Sequence, residues 1–319
     1  MKILVVGLGV IGATHGYLFQ KAGHEVEHLL RDTSPKRGIK YLSVDLLDGR
    51  IDRQGQAIKD TYRINPCSQK KYDFIFVSVS RGQVKKVIED LDRLAITGSL
   101  VLACGIWEDR TKLERWLSQR DYLLGYPVAG GNLIGNRLAC CVFDHFMLES
   151  EEKSRISNYQ DLVKLFNSCQ IKLEFPYDML EWIWLHMAIN AGVISVAGCY
   201  ADSENPSAAA ETVMNSARLL SQVIKSIRET AQIVENRGVD LRHYRTELLP
   251  YHLPIWLSAP LMKRMFAKNL LSRKIMTLHS NLPDLLFICQ KLYKLGQERQ
   301  VEAPNFYRAF QVCLEKWYN

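Results

Sequence analysis

The sequence predicts an α/β domain of largely parallel strands followed by an all-helical domain, and three observations carry that reading. An apolar run at residues 2–6 leads into Gly7-Leu8-Gly9-Val10-Ile11-Gly12, buried-strand runs return at 72–79 and 99–103, and strand signals vanish after Phe175-Pro176. Lys2-Ile3-Leu4-Val5-Val6 is β-branched and apolar without alternation, the pattern of a parallel strand covered on both faces. Ala13 to Ala22 has helical composition, Gly23 supplies a C-terminal stop, and Glu25-Val26-Glu27-His28-Leu29-Leu30 reads as a second strand. Residues 39–64 read as short extended pieces broken by Asp48-Gly49 and Gly55, a hairpin-like excursion. Gln83 to Leu91 carries the helical spacing Val84, Val87, Ile88, Leu91. From Tyr122 to Phe146, apolar runs alternate with Gly125, Gly130, Gly131 and Gly135 and predict further strands at the far edge of the sheet. Asp178 to Val196, Ser207 to Arg237, Leu261 to Leu271 and Ile275 to Gly296 predict helices, which places the domains at 1–175 and 176–319.

The length agrees, because 319 residues exceed the roughly 250 over which a single core grows. A chain that is 47% hydrophobic and 24% charged is neither collagen-like nor disordered. Its net charge of +7 is scattered, which suits an anionic small ligand as well as nucleic acid; no nucleic-acid motif occurs, so no such partner is expected. The eight cysteines show neither C-x-x-C nor zinc spacing, so they read as buried thiols in a reducing compartment, with no metal site. Ile183 to Tyr200 is the longest apolar stretch, but it contains His186 and Asn190 and reads as a buried helix rather than a membrane span. With no signal-peptide pattern at Met1-Lys2, the expectation is a cytoplasmic protein without membrane association.

Strand, glycine turn, helix and strand within about thirty residues is the setting in which G-x-G-x-x-G has mechanical meaning. The first glycine permits the tight turn, the second lets backbone approach a pyrophosphate, and the third allows helix to pack closely on strand. Gly7, Leu8, Gly9, Val10, Ile11 and Gly12 are therefore expected to hold a dinucleotide, with its phosphates on the free amides of the helix. Arg31 at the end of the second strand, followed by Lys36 and Arg37, matches a 2′-phosphate and favours NADP over NAD. If that strand runs one residue further, Asp32 becomes the ribose ligand and the preference reverses. Ser80, Arg81, Gln83, Cys104 and Gly105 follow strand C-termini, where a dinucleotide would lie.

With these residues in place, the chain resembles the ketopantoate reductase (2-dehydropantoate 2-reductase) family. The resemblance runs through the glycine turn, Arg31, the hairpin excursion, the Tyr72-Asp73-Phe74-Ile75-Phe76-Val77 strand with Gln83, the Asn-bearing helix near 186, and Leu295-Gly296-Gln297-Glu298 with Ala303-Pro304-Asn305. It implies an N-terminal Rossmann domain and a helical C-terminal domain, with NADPH and an oxo acid bound between them and hydride transfer to the oxo acid. The family's central helix carries a Lys general acid before a substrate-binding Asn; here His186 stands at the Lys position and Asn190 at the Asn position. The family's Asn-Gly is replaced by Cys104-Gly105, and its C-terminal substrate-binding Glu falls at Asp284. With those departures the substrate is a small oxo or hydroxy acid that need not be ketopantoate. A second resemblance, to β-hydroxyacid dehydrogenases, rests on Pro127-Val128-Ala129-Gly130-Gly131, similar to a turn whose backbone binds the substrate carboxylate, and implies that role for Gly130 and Gly131.

Ketone reduction needs a hydride at carbon and a proton at oxygen. His186 and Asn190, spaced i, i+4, project from one helix face and can converge on one carbonyl, with His186 as the acid. An imidazole has an ordinary pKa of about 6.5, so activity resting on it falls as pH rises. Two alternatives stay open: the His and Asn satisfy each other inside an apolar helix, or the chain binds a dinucleotide without turnover, as a redox sensor would. The cations Lys263, Arg264, Lys268, Arg273 and Lys274 read as a solvated helix face, with a site for a substrate carboxylate or an acidic partner as the alternative. His15 and His28 read as structural or surface groups. Homodimerisation is also left open.

Overall fold

The computed structural model describes residues 1–80, 82–200, 206–278 and 282–318, and of 206, 282, 283, 317 and 318 the backbone only. The chain divides into two compact units, Met1–Leu180 and Glu181–Asn319. The sequence reading put the division at 175/176, where the composition changes.

The first unit runs β1 (Lys2–Val6), α1 (Val10–Lys21), β2 (Glu25–Leu29), β3 (Tyr41–Asp48), β4 (Gln56–Arg63), β5 (Lys71–Val77), α2 (Val84–Arg93), β6 (Thr97–Ala103), α3 (Arg110–Leu117), β7 (Tyr122–Ile134), β8 (Arg137–Leu148), α4 (Tyr159–Ser168) and β9 (Lys172–Glu174). Its strands form one sheet in the order β2-β1-β5-β6-β7-β8-β3-β4, with β9 beside β8. The first four are parallel to their neighbours, and β7 joins on parallel to β6. In β1 and β5 successive residues are buried on alternate faces: Ile3, Val5, Phe74 and Phe76 join the cluster around α1, and Leu4, Ile75 and Val77 are buried on the other side. That two-sided burial is why these runs show no polar alternation.

The far edge differs from expectation. β7 and β8 are interior strands, joined at Gly135 with φ +57°, and the outer position belongs to the β3–β4 hairpin, which pairs parallel to β8. Beyond β4 the chain returns to the opposite end of the sheet. His28 N–H donates to Asn65 O at 2.8 Å and Cys67 N–H to His28 O at 2.9 Å, an isolated parallel bridge between His28 and Pro66. The sheet therefore wraps around α1, in which Gly12 through Phe19 are all buried. A helix enclosed on every side has no polar stripe to keep, which explains why the buried run from Gly12 to Phe19 carries no Lys, Arg, Asp or Glu.

The second unit is helical. It contains α5 (Met179–Gly198, whose first residues belong to the first unit), α6 (Pro206–Met214), α7 (Ala217–Glu235), α8 (Arg245–His252), α9 (Ile255–Lys268), α10 (Leu270–Leu278), α11 (Leu282–Glu298) and α12 (Pro304–Tyr318). Leu220, Val223, Ile224 and Ile227 of α7 lie in its main apolar cluster with Val196 of α5. α5 and α7 approach closely: a Cβ on Gly192 would lie 2.8 Å from Ile227 backbone, and Thr230 Oγ1 donates to Ala188 O at 2.8 Å. α5 is long and apolar enough to cross a membrane, but 61% of that window is buried inside the protein, as in a core helix. Two expected helices are each split. Ser216 caps α7 through Leu219 N–H and ends the run from 207, and Asn269 caps α10 through Ser272 N–H and ends the run from 261.

Candidate functional site

Val6 pairs with Val77 and Val77 with Leu102, so the residues after β1, β5 and β6 emerge along one edge of the sheet. Gly7 follows β1 at φ +89°, a conformation that penalises any Cβ. Its N–H donates to Leu29 O at 2.9 Å and its carbonyl accepts from His28 Nδ1 at 2.8 Å. Leu8 O accepts from Lys36 Nζ at 2.9 Å. Gly9 is the N-cap of α1 and provides no side-chain cap, and the first turn holds no acid. The leading amides of the helix thus keep their donors and the positive end of its dipole for an anion. A Cβ on Gly9 would meet only Ser78 O at 3.9 Å, leaving room for a ligand against the backbone. On Gly12 it would lie 2.7 Å from Ser78 Oγ and 2.9 Å from Val5 Cγ1, so that glycine serves close helix–strand packing. Ser78 Oγ is buried and has no hydrogen-bond partner among the described residues. These features fit a pyrophosphate seated on the turn.

The expected rim residues lie along the same edge. Ser80 and Gln83 are exposed, with Gln83 N–H bonded to Ser80 O at 3.2 Å as the N-cap of α2. Cys104 and Gly105 are buried just past β6. Arg81 lies outside the described residues. Arg31 is exposed just beyond β2, while Asp32 pairs with Arg37 at 2.5 Å. Burial holds the Lys36 ammonium below the ordinary lysine range.

In the helical unit, His186 and Asn190 are both half-buried, one turn apart on α5. The imidazole of His186 stacks on the Trp182 indole, with ring centroids 4.9 Å apart and planes 12° apart. Two residues before His186, the Trp184 ring has the Arg237 guanidinium 3.7 Å from its centre. Asp284 lies in the first turn of α11 and is half-buried. Gly130 and Gly131 do not form a turn. They lie inside β7 opposite Cys141 and Cys140 of β8, and a Cβ on Gly131 would strike Ala139 O at 2.4 Å, so the antiparallel ladder explains the small residues. Among the described residues no group of three His, Cys, Asp or Glu could hold a metal.

Three residues behind the turn went unrecognised as supports for it: His28, Tyr62 and Ser78. Strand alternation carried the signal for one, since His28 shares its inward face with Val26 while Glu25 and Glu27 point away. His15 and His28 are both buried, and burial pushes each imidazole down to about 4. His15 stacks on Phe76 inside the core, with ring centroids 5.1 Å apart.

Residues 3–105 match the family model for ketopantoate reductase PanE/ApbA. The matched segment ends at Cys104-Gly105, the last expected rim residues. Over the whole length the fold is shared with solved structures at low identity. D-mandelate dehydrogenase in complex with NADH has a TM-score of 0.68 at 13% identity over 99% of this chain and 98% of that one. The 2-dehydropantoate 2-reductase of Geobacter metallireducens GS-15 has 0.67 at 13% over 99% of each. The dimeric ketopantoate reductase of Staphylococcus aureus has 0.63 at 12% over 100% of this chain and 99% of that one. No curated protein matches the sequence significantly. The family likeness in sequence thus covers residues 3–105, and over its whole length the chain shares the fold of these reductases.

Proposed function

We propose that the protein is an NADP-dependent reductase of a small 2-oxo acid, running in reverse as a dehydrogenase of the 2-hydroxy acid. The observation that supports it best is the turn itself, where uncapped α1 amides stand beside Gly9, whose missing Cβ leaves the backbone open to a ligand. Arg31, Lys36 and Arg37 outnumber Asp32 there, and Asp32 is already paired with Arg37, which favours the 2′-phosphate. When bound, the nicotinamide supplies the hydride. The chain supplies the rest. His186 donates a proton to the carbonyl oxygen, with its ring held against the Trp182 face. Asn190 hydrogen-bonds the substrate beside it, Asp284 is assigned to the substrate's polar groups, and residues 1–175 and 176–319 take the cofactor and substrate roles. Eight cysteines without a disulfide suit a reducing, cytoplasmic setting.

The test has two steps. Titration with NADPH and NADH, followed by nucleotide fluorescence, should show tighter NADPH binding. Single-turnover mixing with a panel of 2-oxo acids should then consume absorbance at 340 nm with at least one aliphatic or aryl member. Binding without oxidation across the panel would favour a sensor. Preference for NADH would transfer the ribose role to Asp32 and bring the protein closer to its NADH-bound structural neighbour.

A further inference from the structure

We propose that His28 and Tyr62 act as a clamp on the glycine turn, positioning its amides for the dinucleotide without touching it. The inference rests on the cofactor reading above and adds two residues to it. A carbonyl can only accept, so His28 Nδ1 carries the proton it gives to Gly7 O at 2.8 Å. In the neutral ring Nε2 then accepts, and the Tyr62 hydroxyl donates to it at 2.7 Å. Both side chains are buried, at 1% and 0% exposure, so water does not compete for either bond.

Peptide geometry transmits the effect. Across a planar trans peptide the C=O and the following N–H point in opposite directions, and the chain has no cis bond among its described residues. Holding Gly7 O inward therefore directs Leu8 N–H outward. Lys36 on Leu8 O does the same for Gly9 N–H. With Gly7 N–H also held by Leu29 O, the turn is set before any ligand arrives, which removes an ordering cost from binding. The surroundings are shaped for this contact. A Cβ on Gly16 would come within 2.4 Å of Tyr62 Oη and 3.3 Å of His28 Nε2, so α1 carries a glycine where the hydroxyl passes. The β3–β4 hairpin, outermost in the sheet, thereby reaches the turn that begins it.

The test uses the full chain with His28→Leu, His28→Asn and Tyr62→Phe, measuring NADPH and NADH affinity by fluorescence titration and melting temperature in parallel. The Asn amide nitrogen lies where Nδ1 lies and can still donate to Gly7 O. His28→Leu should weaken both nucleotides about tenfold, Tyr62→Phe about threefold, and His28→Asn less than threefold, on the scale of one buried hydrogen bond. KM for the nucleotide should rise while kcat at saturation stays put. A structural role alone would lower the melting temperature of all three without this ordering of affinities. Equal affinity losses for Leu and Asn, or unchanged affinities in a wild type that binds, would overturn the clamp. If His28→Leu does not fold, Tyr62→Phe and His28→Asn carry the same comparison. A wild type that binds neither nucleotide overturns the functional reading and the clamp with it.

Discussion

At the glycine turn the chain presents backbone, held from behind by buried side chains, whereas in the middle of α5 it presents side chains on a regular helix. The first arrangement needs special residues: φ +89° at Gly7, open space at Gly9, contact at Gly12. Few sequences satisfy all three, so the motif is conspicuous. The second needs only that two side chains share a face, which any helix provides. There the choice of residue carries the chemistry, and the backbone places no limit on it. A His can stand where the family resemblance implies a Lys.

The comparison breaks most visibly at α5. His186→Ala should lower kcat about 10²- to 10⁴-fold with nucleotide affinity unchanged, the usual contribution of a positioned acid. Steady-state kinetics beside a nucleotide titration decides it; normal turnover by a destabilised variant would assign His186 to packing.

Next in size is the response of the first unit to acid. His15 and His28 are held neutral by burial at about 4, against 6.5 when unfolded. The unfolded chain therefore takes up protons first as pH falls, so stability is flat above about pH 6.5 and declines between there and pH 4. Each ring contributes up to about 3 kcal/mol to that loss. The buried Glu149 carboxyl, pushed up by burial despite Arg110 at 2.6 Å, works in the opposite sense and offsets part of it. Urea unfolding at pH 7.5, 6 and 5 should show the decline, and His15→Phe should flatten it. Equal stability at all three would mean that the rings are not the protected groups described.

Arg31→Ala should cost NADPH about 1.5 to 3 kcal/mol of binding and NADH almost nothing. Equal losses would move attention to Asp32.

The finest contrast lies within the turn. Gly12→Ala should lower stability by about 1 to 3 kcal/mol, because its Cβ has no space beside Val5 and Ser78. Gly9→Ala should leave the melting temperature alone and weaken nucleotide binding, because its φ of −87° suits Ala and only a ligand occupies the space. A drop in melting temperature for Gly9→Ala would remove the open-cradle reading.

What could be read from the sequence follows the same division. β1, the turn, α1, β2, β5, α2 and β6 rest on local composition and short-range spacing, and they stand where expected. β3 and β4 were recognised as a hairpin but not placed, because nothing in Tyr41–Asp48 says that its neighbour is Arg137–Leu148. Gly130 and Gly131 suggested a ligand turn because a glycine pair has the same spelling in a loop and in a crowded ladder. α3 and α4 are short amphipathic helices and escaped notice. In the helical unit the capping residues Ser216 and Asn269 were the overlooked signals that divide long apolar runs. His28 and Tyr62 lie far apart in sequence, and only the wrapped sheet brings them to Gly7.

That wrapping also sets a schedule for synthesis. Ser43 through Asp48 find their parallel partners only in Arg137 through Val142, and the segment after β4 then closes on β2 beside α1. On the ribosome, everything up to Gly105 emerges before that partner exists, with α1 an apolar helix still lacking half its enclosure. Pairings this distant are slow to form. The segment that holds α1, made before β8, is therefore late to become native, and its apolar surface stays partly uncovered until β8 has left the tunnel.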